Sequence, residues 1–381
     1  MVEIREVKTN SDLGRFVRFG IDLYKDNKYF CPPLIFDEKN TFDRKKNPAY
    51  DFSDSVLYLA YRDGKIVGRI AGIINNIANE AWNKKRLRFG WFDFIDDVEV
   101  SHTLLDAVKA WGKEHGMTEM NGPVGFTDFD HQGLLIVGFE YDAPMASLYN
   151  YPYYEKHYEA YGLQKEVDWI ENRVFIPKGV PEKMERIAKI VIEKYNLKIA
   201  KVRSAKEVIS RFGYSFFDVI NEAYKPLYNF QPLTERQKEY YCKMYFPLLN
   251  YDFVTIIVNE QDEIVGVGVG MPNISEELRR CRGRLLPLGW YWILRALRAK
   301  KFKHFDLLLI AVRPDYQNKG VNSLFFYDQI KYFIKYGVEY SETSAMLETN
   351  IKNQSNWDYF DNIQHKRRRA LYQANIVRLR F

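Results

Sequence analysis

The chain has little cysteine and no long run of apolar residues. Among its 381 residues there are three cysteines, Cys31, Cys242 and Cys281, and they show no paired spacing. This pattern gives no disulfide framework and no zinc site, so we expect no metal and a reducing, cytoplasmic compartment. No uncharged apolar run approaches the roughly 18 to 20 residues that span a bilayer. The first residues contain no apolar core of a signal peptide, and none is expected.

The excess of positive over negative charge is also small. The net charge is +6 on 381 residues, which is too mild to indicate nucleic-acid binding by itself. Hydrophobic residues make up 46% and charged residues 28% of the chain, a composition typical of globular proteins. The length is sufficient for two domains, each with its own core.

The chain contains two halves of similar pattern. In the first half, Asp63-Gly64 joins two strand-like runs and predicts a hairpin. A helix follows, for which Ser101 is a plausible N-cap and Gly116 a plausible end. In the second half, a hairpin over 253–271 leads to a strand over 305–312 and a helix that ends at Gly337. We predict two mixed α/β lobes, 1–176 and 177–381, divided where proline and glycine interrupt the pattern.

One strand-to-helix connection in the second half suggests anion binding. The strand ends at Val312, and the polar stretch that follows contains Lys319 and Gly320 before a helical pattern begins. Backbone amides at a helix start, together with the helix dipole, favour a phosphate. The alternative is that Gly320 only allows a tight turn, and spacing alone does not separate the two interpretations.

The stretch "VRPDYQNKGVN" resembles the acyl-CoA loop of the GCN5-related N-acetyltransferase (GNAT) superfamily. The family form is Gln/Arg-x-x-Gly-x-Gly/Ala, which Gln317 and Gly320 match, whereas Asn322 stands where Gly or Ala is usual. The resemblance implies that the preceding strand pairs with the pantetheine arm. It implies these cofactor-binding residues: Ala311, Val312, Gln317, Asn318, Lys319, Gly320, Val321, Asn322 and Asn350.

Other stretches, among them "GLLIVGFEYDAPMASLYNYPYY" and "RRCRGRLLPLGWYWILRALR", are similar to landmarks of a tandem-lobe GNAT branch with bacterial ceramide synthase-like acyltransferases. The resemblance implies transfer of an acyl group from acetyl-CoA or a longer acyl-CoA to an amine, in its sharper form a long-chain amino-lipid base. Two alternatives stay open. One is an N-acetyltransferase acting on a small polar amine or a peptide, and the other is a non-enzymatic binder of acyl-CoA or lipid.

The first lobe has no glycine at the equivalent helix start. It has acidic residues there instead, which would repel a pyrophosphate: Asp93, Asp96, Asp97 and Glu99. Its unusual segment is "GFTDFDHQGLLIVGFE", in which carboxylates such as Asp130 could hold an amine and His131 could take its proton. The alternative is a polar turn whose aspartates accept hydrogen bonds from backbone amides.

The second lobe offers an acid and a base. In GNAT enzymes the acid is often a tyrosine on the helix after the fifth strand, and the resemblance implies Tyr359 for that role. Glu348, at the end of a predicted strand, is a candidate base. The alternatives are that Tyr359 is a packing aromatic and that Glu348 pairs with the basic stretch 365–372.

The segment from Arg279 to Lys303 is the most basic part of the chain. It holds nine Lys and Arg residues, no acid, and several aromatic and aliphatic side chains. Such a segment suits contact with an anionic membrane, which would place the protein peripherally at the inner membrane, or with the CoA 3′-phosphate. The alternative is a buried helix with cations at its C-terminal end. No motif indicates nucleic acid.

Overall fold

The computed structural model describes residues 1–376, which form two compact units. Unit 1 contains Met1–Ile170, Ser275–Trp290 and the described residues from His365 onward. Unit 2 contains Glu171–Ile274 and Tyr291–Gln364. The predicted lobe boundary after residue 176 stays a prediction.

The described chain contains both strands and helices, distributed over its whole length. The strands are β1 (Glu3–Glu6), β2 (Ser53–Arg62), β3 (Lys65–Asn75), β4 (Arg86–Phe94), β5 (Glu119–Gly122), β6 (Leu134–Val137), β7 (Gln164–Phe175), β8 (Lys198–Ala200), β9 (Val254–Val258), β10 (Ile264–Pro272), β11 (His304–Val312), β12 (Tyr340–Thr343), β13 (Met346–Leu347) and β14 (Asn362–Gln373). The α-helices are α1 (Asn10–Asp22), α2 (Ile35–Thr41), α3 (Asn76–Ala81), α4 (Val98–Glu114), α5 (Tyr153–Tyr161), α6 (Glu182–Tyr195), α7 (Ala205–Phe212), α8 (Ser215–Tyr224), α9 (Glu235–Tyr245), α10 (Ser275–Cys281), α11 (Gly289–Leu297), α12 (Asn322–Tyr336) and α13 (Ile351–Gln354). Short 3-10 helices lie at Pro48–Asp51, Phe246–Leu248, Tyr251–Phe253, Pro314–Tyr316 and Ser355–Tyr359.

The sheet of unit 1 has the strand order β1–β2–β3–β4–β5–β14. The hairpin predicted at Asp63-Gly64 is confirmed, since Arg62 lies opposite Lys65 and both turn residues have positive φ. β4 and β5 are parallel, and α4 crosses between them. β14, from the end of the described chain, lies antiparallel to β5 with Leu371 opposite Gly122.

The sheet of unit 2 repeats this arrangement with the order β8–β9–β10–β11–β12–β7. β9 and β10 form the predicted hairpin, and β11 and β12 are parallel with α12 between them. β7 lies antiparallel to β12, with Phe175 opposite Tyr340. Each unit therefore receives one sheet strand from the other half of the sequence, and the predicted mixed α/β architecture is confirmed.

Local helix signals were partly right. α12 ends as predicted, since Gly337 follows it with φ of +74°. The predicted N-cap of α4 was wrong: the helix begins at Val98, and the Asp97 carboxylate accepts from the Val100 amide. Ser101 lies inside the first turn, where its hydroxyl donates to the Val98 carbonyl. Within the described residues, no helix has both the length and the apolar character needed to cross a bilayer.

Candidate functional site

The strands β11 and β12 of unit 2 separate partway along their length. They are paired from His304 opposite Tyr340 to Leu307 opposite Thr343, and β12 then ends. β11 continues to Val312 while still paired with β10 on its other side. The register with β10 shifts at this point, because Leu309 lies opposite Val269 whereas Leu307 lies opposite the next residue, Gly270. Such bulges are common beside active sites, and this one adjoins an opening between two parallel strands.

The connection from β11 to α12 presents free backbone donors. Within residues 1–376, the amides of Lys319, Gly320 and Val321 donate to no acceptor. Among the side chains that the structure describes, none caps the start of α12. Gly320 has φ of +78°, a conformation that side-chain-bearing residues rarely adopt, and a β-carbon there would lie 3.1 Å from Val191 Cγ2. Free amides at a helix start form a ready anion site.

Two basic side chains belong to this loop, and their surroundings differ. The Arg313 guanidinium donates to the Asp315 carboxylate at 2.7 Å, so its charge is largely matched within the loop. The Lys319 ammonium lies over the rings of Tyr195 and Tyr316, 5.2 and 4.8 Å from their centroids. Lys319 is therefore the cation of the loop that is held by aromatic faces rather than by a carboxylate.

The other loop residues fix its shape. The Gln317 side chain donates to the Val312 carbonyl at 3.0 Å and ties the loop to the end of β11, where Ala311 is buried. Asn318 adopts φ of +61°, which asparagine tolerates. The Asn322 amide donates to Asn356 Oδ1 at 3.1 Å, in the segment that follows β13.

The predicted acid and base also belong to unit 2. Tyr359 ends a 3-10 helix rather than lying on an α-helix, is 51% exposed, and has Lys183 Nζ 5.2 Å above its ring. Glu348 follows β13 and is partly buried, and its carbonyl accepts from the Gln354 amide. Asn350 caps α13 through Asn353 N at 3.2 Å. The roles of acid and base stay predictions.

Asp130 and His131 belong to unit 1 and are fixed by backbone contacts. Asp130 Oδ2 accepts from Thr127 N at 2.9 Å, and burial raises the pKa of Asp130 to about 6. His131 Nε2 donates to the Met145 carbonyl at 2.9 Å, and burial lowers the pKa of the imidazole. Because the carbonyl can only accept, Nε2 carries the proton of the neutral ring. The neighbouring Asp128 has a pKa raised by burial to about 7.

The acidic residues at the β4–α4 connection of unit 1 make structural contacts. Asp93 is buried and forms an ion pair with Arg69 at 2.7 Å. Asp96 Oδ1 lies 2.8 Å from His157 Nε2, and Asp97 pairs with Arg62 at 2.6 Å while capping α4. The amide that would face an anion at this helix start therefore already has a carboxylate acceptor.

Sequence reasoning missed an apolar cavity of about 60 Å³ in unit 2. Its lining includes residues from both separated strands, among them Leu307 and Thr343, and from the inner face of α12. A signal was present in the run "VGVGVG" of β10, because Gly268 and Gly270 leave one face of the strand without side chains. The distant aromatic side chains that complete the walls could not be read from local pattern.

The basic segment Arg279–Lys303 is not a single helix. It contains the last three residues of α10, a connection, and α11, whose Ile293 and Leu297 are buried. Leu286 is 77% exposed, and Leu288 and Trp290 are about half exposed. In the part of the chain that the structure describes, no group of three or more His, Cys, Asp or Glu side chains is placed to hold a metal ion.

Comparison with known proteins identifies the fold. No protein-family model matches the chain. It is 28% identical to Protein YghO of Escherichia coli strain K12, over 98% of this chain and 95% of the relative. It is 27% identical to a protein of Caulobacter vibrioides named bacterial ceramide synthase, over 82% of this chain and 80% of the relative. A solved structure described as a tandem GNAT protein from the clavulanic acid biosynthesis pathway superposes with a TM-score of 0.56, at 10% identity, covering 98% of this chain and 99% of that one.

Proposed function

We propose, from the premise that the chain has a tandem GNAT fold, that it is an acyl-CoA-dependent N-acyltransferase. The observation that carries the proposal is the uncapped start of α12, where the amides of Lys319, Gly320 and Val321 have no acceptor among the described residues. These amides would bind the pyrophosphate of CoA, and the open edge of β11 beyond Leu307 would pair with its pantetheine arm. The positive charge of Lys319, in the same loop, also supports binding of the CoA pyrophosphate.

The reaction needs groups that move protons. Acyl transfer forms a bond from the amine nitrogen to the acyl carbon and breaks the carbon–sulfur bond, so the amine loses a proton and the thiolate gains one. In unit 2 we assign Glu348 as the base and Tyr359 as the acid, in keeping with the exposure of the Tyr359 phenol. The alternative base lies in unit 1, where Asp130 and the neutral ring of His131 are candidates for holding the amine and taking its proton in place of Glu348.

For the acceptor, we propose a long-chain amino-lipid base. The relative named bacterial ceramide synthase, at 27% identity, supports this choice over a small polar amine. The exposed apolar side chains of Leu286, Leu288 and Trp290 support it as well, because they adjoin Arg282 and Arg284 in the sequence and suit an anionic lipid surface.

The function is tested by thiol release. The full chain is incubated with CoA thioesters from acetyl to palmitoyl, with sphinganine or a small polar amine as the acceptor. Thiol release that depends on sphinganine supports the proposal. Thiol release with small amines alone would mean that the acceptor is a small amine rather than an amino lipid. Binding of CoA without any turnover would mean that the protein is a non-enzymatic binder.

Membrane contact has a separate test. Arg295 and Arg298 are exposed on or just beyond α11, and we expect the double variant Arg295→Glu/Arg298→Glu to bind anionic vesicles at least tenfold more weakly than the wild type. The control is Lys84→Glu/Lys85→Glu, which makes the same charge change at exposed residues elsewhere. Equal partitioning of both variants in vesicle sedimentation would show that the segment is not a specific lipid surface.

A further inference from the structure

The apolar cavity of unit 2 extends from the opening between β11 and β12 into the region where these strands are still paired. Leu309 lies in the separated part of β11, whereas Phe305 and Ser341 face each other in the paired part, and all three line the cavity. One end of the cavity therefore reaches the place where, under the proposed function, the thioester would lie. The rest passes beyond it, beneath the inner face of α12.

The walls are suited to a hydrocarbon chain. α12 contributes Phe326, Ile330 and Phe333, all nearly or fully buried, and the 3-10 helix after α13 contributes Trp357. Polar side chains are a minority of the lining, and Thr255, Gln329 and Thr343 already take part in hydrogen bonds within the protein. The amides of a pantetheine arm, which need hydrogen bonds, would therefore find fewer partners here than along the open edge of β11. An acyl chain needs none, and it gains free energy from burial.

Two glycines of β10 make room for aromatic rings that line the cavity. A β-carbon at Gly268 would lie 2.9 Å from the Phe325 ring. At Gly270 it would lie 2.2 Å from the Phe305 ring, closer than real contacts allow. β10 therefore leaves its cavity-facing side to aromatic rings from α12 and β11, and any larger residue would displace them.

We propose that this cavity receives the acyl chain of the thioester and that its depth sets the chain length. The inference rests on the proposed function and adds the class of acyl donor. A water-sized group occupies roughly 10–15 Å³ on the scale used for such cavities. The observed volume of about 60 Å³ therefore accommodates a chain of a few carbons, as in hexanoyl-CoA, rather than a palmitoyl chain.

Ser341 offers a matched pair of variants. It is 1% exposed and lines the cavity from β12. Ser341→Leu fills the space beside it, whereas Ser341→Ala removes the hydroxyl and leaves the volume nearly unchanged. Binding of CoA, acetyl-CoA and hexanoyl-CoA to the full chain is measured by calorimetry, which requires no amine acceptor.

We expect the wild type to bind hexanoyl-CoA at least tenfold more tightly than acetyl-CoA, because each buried methylene adds up to about fourfold. This gain should be lost in Ser341→Leu and kept in Ser341→Ala, while both variants bind CoA itself like the wild type. If Ser341→Leu does not fold, as judged by thermal denaturation, the smaller Ser341→Val makes the same test.

The outcomes separate this inference from the function on which it rests. Equal affinities for acetyl-CoA and hexanoyl-CoA would overturn the acyl cavity and leave the acyltransferase proposal intact. A hexanoyl gain that survives Ser341→Leu or Ser341→Val would also overturn it, because the chain would then lie elsewhere. Failure of the folded wild type to bind CoA or any thioester would remove both proposals.

Discussion

The two strand-to-helix connections, β4–α4 in unit 1 and β11–α12 in unit 2, occupy the same place in the same strand order but are built differently. The first has three residues, Ile95 to Asp97, and the carboxylate of Asp97 caps the helix. The second has nine residues, 313–321, and leaves the helix start uncapped. In unit 1 the Asp97 carboxylate therefore occupies the helix start at which, in unit 2, we expect a phosphate to bind.

The openings beside these connections differ as well. In unit 1 the Val124 amide donates to the Phe89 carbonyl, so the chain itself continues along β4 after the paired part of β5. A β-carbon at Gly90 would lie 2.5 Å from the Val124 carbonyl oxygen, which leaves no room for a ligand arm. In unit 2 the corresponding space leads to the apolar cavity beneath α12. In unit 1 the backbone at Val124 therefore occupies the space beside β4. In unit 2 we expect the cosubstrate to occupy the equivalent space beside β11.

The largest effect expected from this contrast is on stability, at Asp93 of unit 1. Asp93→Asn would leave the Arg69 guanidinium buried without its counter-charge, and we expect a loss of about 3–5 kcal/mol in the free energy of unfolding. CoA affinity should not change, because the pair belongs to the core of unit 1. Urea denaturation and calorimetry measure the two quantities.

The control for this prediction is Glu3→Gln, at an exposed ion pair with Arg5, which should leave the urea midpoint unchanged. A weaker CoA affinity in folded Asp93→Asn would contradict the view that the acidic end of β4 is purely structural.

The next effect concerns the loop of unit 2. Gly320→Asp should weaken CoA binding by about 100-fold, because a carboxylate beside the free amides would repel the pyrophosphate. Gly320→Asn is the matched control, since asparagine has the same shape, has no charge and tolerates the positive φ at this position. Calorimetry compares the two. Similar CoA affinities in both variants would mean that the loop binds no phosphate.

The smallest effect expected is a change in the pH dependence of stability in unit 1. Burial raises the pKa of Asp128 from 3.8 to about 7, so the folded state retains a proton that the unfolded state releases. Stability from this group is present below about pH 4 and is lost as the pH rises through the folded-state pKa. Asp128→Asn should therefore stabilise the protein at pH 8, by about 1–2 kcal/mol given the partial exposure of the side chain, and not at pH 4.

Denaturation at the two pH values measures this difference. Asp63→Asn, in the exposed β2–β3 turn, is the control and should show no pH-dependent gain. If the difference in stability between Asp128→Asn and the wild type were the same at both pH values, the pKa of Asp128 would not be raised in the folded state.

Features set by neighbouring residues were predictable from the sequence, and features set by distant residues were not. The hairpin at Asp63-Gly64 and the end of α12 at Gly337 depend on turn chemistry within a few residues. The start of α4 was misplaced because serine and aspartate are both good N-caps, so Ser101 and Asp97 were both candidates. The ion pair of Asp97 with Arg62, at the end of β2, favours Asp97.

The candidate site follows the same division. The loop around Gly320 could be predicted, since a strand, a short polar stretch and a helix are consecutive in the chain. The cavity could not, because Ser341, Phe305 and Trp357 become neighbours only when the sheet has formed. The placement of β7 and β14 likewise depends on strand pairing over more than a hundred residues, for which local pattern contains no signal.

The placement of β7 and β14 bears on how such a chain can be divided. A gene fragment that ends at residue 176 would code for unit 1 without Ser275–Trp290 and β14, and the complementary fragment would code for unit 2 without β7. Each product would have an unpaired strand edge, which is a template for association with other chains. Coexpression of the two fragments would supply each with its missing strand. In the intact chain the two halves are covalently linked, so each unit obtains its missing strand from the same molecule and strand complementation is intramolecular.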